Sequence, residues 1–173
     1  MSEKSYRLAS DEKVNQVMVG TQDALIWGDL VTKKPVRISV YLNTMADEFV
    51  SLNDVRILFL APEQRVPPTE RPELLIKQEE ILAFFALDDP EPIPEETETR
   101  RYVPIEMFVG SYQIEGKIIK APVSTLHNML VVTRSVYLPI YEATIHHVAK
   151  PWLGSFASSI VHIRRERMNV VIK

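Results

Sequence analysis

Four histidines, a few paired carboxylates and a run of arginines are the groups in this 173-residue chain that could do chemistry. The histidines are His127, His146, His147 and His162, and there is no cysteine to join them as a thiolate ligand or to serve as a nucleophile. His146 and His147 are adjacent, so on a strand they point to opposite faces and cannot chelate one ion. No His-x-x-x-His pair exists. The carboxylate pairs Glu79-Glu80 and Glu95-Glu96 fall in polar, exposed stretches, where no burial raises a pKa for acid–base work. Only five glycines are present and none cluster, so there is no phosphate-binding loop, and no Gly-x-Ser-x-Gly elbow occurs. The expectation is a non-enzymatic chain with no catalytic residue, no metal and no cofactor.

What remains is binding chemistry. Arg164, Arg165 and Arg167 form the densest basic cluster, suited to phosphates or an acidic partner. Just before them, residues 151–156 read PWLGSF, a loop carrying Trp152 and Phe156. Loops are ordinarily polar, so these two aromatics are candidates for a partner contact.

Charge is unevenly spread. Residues 1–88 hold 10 basic and 14 acidic residues, 89–101 hold 2 and 5, and 102–173 hold 8 and 4. The first half is therefore net acidic and the last net basic. This asymmetry fits either attraction between the halves or a nucleic-acid surface on the basic half. The acidic half opposes a phosphate backbone, so RNA binding is the less favoured alternative. The composition, 46% hydrophobic and 25% charged, is that of a globular chain. No apolar run is long enough for a membrane span, and the first residues lack a signal-peptide core, so a cytoplasmic location is expected.

The elements that must position these groups read as two similar halves. Residues 88–102, with Pro90, Pro92 and Pro94 among acidic residues, read as a stiff exposed linker between domains over 14–87 and 103–173. Displacing the chain by 88 residues lays Ile26-Trp27-Gly28 over Ile114-Glu115-Gly116 and Asp54 over Glu142. A shift of 87 lays Ile76-Lys77-Gln78-Glu79 over Ile163-Arg164-Arg165-Glu166. This register predicts an internal repeat. In the first half, strands are expected over 15–21, 24–31, 35–42, 54–60 and a bent or split 73–87. Single helical turns are expected near 10–13 and 44–50, and a polar loop over 61–72. Gly28 and Gly116 interrupt strands at matching places, which marks a sharp bend.

Five short strands with a bent second strand describe a small SH3-like barrel, so the fold expected is all-β: two tandem barrels with little helix. Residues 21–30, TQDALIWGDL, and 109–118, VGSYQIEGKI, resemble the first motif of the Sm-like superfamily (Sm, LSm and Hfq proteins). LLIKQEEILAFFAL and VHIRRERMNVVI resemble its second. Arg37-Ile-Ser-Val-Tyr-Leu-Asn43 is similar to an element of a bacterial Sm-like domain family. The Asp-x-x-x-Asn signature of the first motif is missing from both halves, and the Tyr-Lys-His turn of Hfq is replaced by Ile76-Lys77-Gln78. The resemblance therefore does not bring RNA binding with it.

Two sets of binding residues follow. With alternation placing Ile26, Gly28 and Leu30 inward, Leu25 and Trp27 face out, where the other half has the polar Gln113 and Glu115. Leu82 and Phe84 share an outer face likewise. Together with Trp152 and Phe156 these are the expected protein-interface residues, for a partner or for self-association. Lys77, Gln78, Arg164, Arg165 and Arg167 are the expected nucleic-acid contacts of the alternative reading.

Overall fold

The computed structural model describes residues 6–45, 48–60, 66–88 and 92–171. The chain divides into two compact units, Met1–Pro90 and Glu91–Lys173. Both are mostly β. In the first unit the strands are β1 (Glu12–Gly20), β2 (Ala24–Lys33), β3 (Phe49–Phe59), β4 (Thr69–Lys77) and β5 (Ala83–Ala86). Their order is β5-β1-β2-β3-β4, antiparallel throughout. In the second unit they are β6 (Arg101–Val109), β7 (Tyr112–Lys120), β8 (Tyr137–His147), β9 (Ser155–Arg164) and β10 (Met168–Val171). Their order is β10-β6-β7-β8-β9, again antiparallel. Within the described residues β4 does not pair with β5, nor β9 with β10, so the ladder of neither unit closes on itself.

Alternating apolar residues account for the cores. Val17, Val19, Leu52 and Ile76 are buried in the first unit. Met107, Val109, Ile114, Ile140 and Ile163 are buried in the second. A residue removed from water on one face of each strand and left in water on the other is what period-2 patterning specifies.

Both units interrupt the ladder between their second and third strands by the same device. The β2–β3 register slips between Trp27 and Asp29, opposite Asn53, and the β7–β8 register slips between Glu115 and Lys117, opposite Tyr141. The extra residues are Asp54 (φ 49°) and Glu142 (φ 48°), both in the left-handed region that non-glycine residues seldom enter. The bulged strand crowds the facing glycine. A Cβ on Gly28 would lie 3.0 Å from the Asn53 carbonyl oxygen, and one on Gly116 would lie 2.7 Å from Ile140 Cγ2 and 2.9 Å from the Tyr141 carbonyl oxygen.

Several expected boundaries move. Residues 35–42 form no strand. They lead into α1 (Ile38–Val40), which continues as a π turn over Tyr41–Met45. The reason is local: Asn43 Nδ2 donates to the Ser39 carbonyl and Thr44 Oγ1 to the Val40 carbonyl, each four residues back. Ile38 and Leu42, the buried pair here, are also four apart, a helical spacing. Of the turn expected over 44–50, residues 46 and 47 lie outside the described residues, and Phe49 already belongs to β3, which starts five residues before the expected Asp54. No helix forms at 10–13, because β1 begins at Glu12, whose carboxylate accepts from the Ala9 amide. The expected split in 73–87 is present as a 3-10 turn, Gln78–Glu80, between β4 and β5. Of the expected loop 61–72, residues 61–65 lie outside the described residues, and β4 already occupies 69–72. Residues 89–91 of the expected linker also lie outside them. Its later part runs beside β6, where the Tyr102 hydroxyl donates to the Pro94 carbonyl and the Tyr102 amide to Glu96. Among the described residues no helix is long and apolar enough to cross a membrane.

The closer approach at Gly116 sets an order of sensitivity. Gly116→Ala should destabilise its unit by about 1–3 kcal/mol through overpacking at the bulge, and Gly28→Ala by less. Urea unfolding of the two variants, followed by the change in midpoint, checks this.

Candidate functional site

The first unit does not present the outer apolar patch expected of it. Leu25, Leu82 and Phe84 are all buried. The physical reason is that β5, Ala83-Phe84-Phe85-Ala86, and the start of β2, Ala24-Leu25-Ile26, are covered on both faces. An unbroken apolar run is the pattern of a strand with no wet side, and it overrides the alternation assumed for these residues. Trp27 is half-buried. It walls an open cleft of about 320 Å³ at the β3 bulge, with Gly28, Asp29, Asp54 and Arg56. The matching cleft of the second unit, about 620 Å³, surrounds Gly116. There Lys117 donates to the Glu142 carboxylate, a bond that raises the lysine pKa.

Trp152 is exposed on a 3-10 turn, Pro151–Leu153, and Phe156 is half-buried near the start of β9. Gly154 joins them with φ 70°, a conformation that needs glycine where the turn feeds the strand.

The basic candidates have largely structural partners. Gln78 Nε2 donates to the Leu42 carbonyl, and Arg165 Nη1 donates to the Leu130 carbonyl, the corresponding position 88 residues later. The Gln78 amide donates to the Glu48 carbonyl, and the Arg165 amide to that of Val136, again 88 apart. Arg165 Nε also reaches the Ser135 carbonyl at 3.2 Å. These two side chains therefore tie the turn before the last strand to the helical segment before the third. Arg164 lies over the Tyr137 ring, 5.8 Å from its centre, and pairs with Glu166. Lys77 pairs with Glu79. Arg167 is exposed.

A surface the sequence reading missed lies beside this cluster. Helix α2 (Leu126–Val132, sequence LHNMLVV) is capped by Thr125, whose hydroxyl accepts from the Asn128 amide. None of its residues is buried. Val131 is 66% and Val132 73% exposed, and Leu126 and Leu130 are half-buried. The corresponding Ile38 and Leu42 of the first unit are 4% and 1% exposed. Leu126, Leu130, Val131, Arg165, Met168 and Val170 line an open groove of about 490 Å³ along β10. The signal was present, since Leu126 and Leu130 stand four apart as Ile38 and Leu42 do, a helical spacing.

The histidines divide as alternation requires. His146 is exposed and His147 buried, and among the described residues no group of three metal-ligating side chains occurs. The His147 and Tyr112 rings pack edge to face, with centroids 5.0 Å apart. Burial first, and the Lys150 charge second, push its pKa below the ordinary value. Comparison with protein-family models, curated proteins and solved structures finds no match to this chain.

Two outcomes follow from this geometry. Arg165→Ala, which removes the tie to Leu130, should cost about 0.5–1.5 kcal/mol, while exposed Arg167→Ala should cost nothing measurable, as read by thermal unfolding. For His147, the unfolded chain takes up a proton near pH 6.5 and the folded one resists it. Stability is thus held above that pH and lost below it, by up to about 1.4 kcal/mol per pH unit, until the depressed folded pKa is reached. In urea titrations at pH 7.5 and 5, His147→Phe, which copies Phe59, should shrink that loss.

Proposed function

We propose that this chain is a non-enzymatic protein-interaction module built from two tandem, partly open barrels of Sm-like type that arose by duplication. Support for the duplication comes from the matched bulges at Asp54 and Glu142, the matched glycines facing them, and the matched side-chain ties of Gln78 and Arg165. Support for the Sm-like type comes from the strand order, in which the fifth strand returns beside the first, together with the bulge between the second and third strands.

One observation carries the interaction reading: an apolar helix, α2, has no buried residue, although the corresponding segment of the first unit buries Ile38 and Leu42. Apolar side chains held in water gain free energy when covered, at roughly 25 cal/mol per Å² of area. Such a face offers area for association, to a partner or to a second copy. The opposite net charges of the two halves would orient copies head to tail. Nucleic-acid binding has less support, because Arg164 is paired with Glu166 and lies over the Tyr137 ring, and the chain as a whole is net acidic.

Val131→Glu puts a charge on this face without touching the core. It should leave the unfolding midpoint unchanged and abolish association, read by sedimentation velocity and by recovery of partners from nuclease-treated extract. Association that persists in Val131→Glu, or that vanishes from the wild type on nuclease treatment, would refute the proposal.

A further inference from the structure

Taking the interaction-module reading as its basis, we infer that β10 and the α2 groove accept an extended, apolar and acidic segment of a partner protein, which adds to β10 as a further strand. Three features of the surface specify that chemistry. Within the described residues β10 pairs with β6 on one side, and no strand pairs with its other side. A row of backbone donors and acceptors of this kind is satisfied by another extended chain, whatever its sequence. Beside it the groove is lined by Leu126, Leu130, Val131, Met168 and Val170, with His127 and Asn169 among them, so its lining is mainly apolar.

The third feature is charge. β10 is entered directly from the turn Arg165–Arg167. Glu166 in that turn is paired with Arg164, at 3.7 Å. Arg165 lines the groove while donating to two backbone carbonyls, which are neutral, so its charge is not cancelled there. Arg167 is exposed at the start of the strand. The end of the groove is therefore cationic, within a half of the chain that has twice as many basic as acidic residues. A segment with a carboxylate beside its apolar residues complements it, and one with a lysine there is repelled.

β10 is also unlike its counterpart in what surrounds it. β5 is buried along Ala83, Phe84 and Phe85, whereas Met168, Val170 and Val171 of β10 are only half-buried and Asn169 is exposed. The same two elements, a short last strand and an apolar helical segment, are covered in one unit and open in the other. Strand addition covers both at once.

The test uses the full chain and a capped peptide of alternating valine and threonine with a glutamate at each end, followed by fluorescence polarisation. Saturable binding is expected, weakened at least about tenfold by Val131→Glu and by replacing the terminal glutamates with lysines. A peptide with alternate backbone nitrogens methylated should not bind, since it cannot complete a ladder. Absence of binding up to about millimolar peptide overturns the inference, as does equal binding of the lysine-ended or methylated peptide. Self-association that the peptide does not displace assigns the face to a second copy and also overturns it. If Val131→Glu abolishes association while no peptide binds, the face is an interface of another kind, and the interaction-module reading stands without strand addition.

Discussion

The fit of a bulged third strand against a glycine in the second is the constraint on which each unit depends. Asp54 and Glu142 take left-handed backbone conformations that cost free energy, and the bend they produce brings backbone atoms to within about 3 Å of where a side chain on Gly28 or Gly116 would begin. Without the glycine the strands cannot approach. Leu30 and Val55 in the first unit, and Ile118 and Ala143 in the second, are buried beside these bulges. The cost is met by the apolar residues that the bend allows each unit to bury.

From that bend follow the other shared features. Curving the sheet brings the turn after the fourth strand close to the helical segment before the third, where one side chain spans the gap. Glutamine does this in the first unit and arginine in the second, each donating to the carbonyl of a leucine. A basic cluster that looks like a phosphate site in the sequence is therefore partly a brace. In the proposed binding mode, the charge that counts is what the brace leaves over, on Arg165 and Arg167 beside the groove.

The two units differ in cover, not in plan. Where the first buries Ile38, Leu42 and β5, the second leaves α2 and β10 open. On the proposed reading, this unequal exposure leaves the α2 and β10 face for a partner to cover.

The sequence by itself determined the β class and the division of His146 from His147. These depend on local rules: alternation, and neighbouring side chains pointing to opposite faces. It misplaced the helical segment at 38–45, because a four-residue apolar spacing in a short window is compatible with either period until its hydrogen bonds are known. It also placed Leu25, Leu82 and Phe84 outside, because alternation cannot tell a wet face from one covered by other parts of the chain. Only the tertiary structure decided which of two equivalent apolar faces is buried, since burial depends on what packs against a residue and not on the residue's own type.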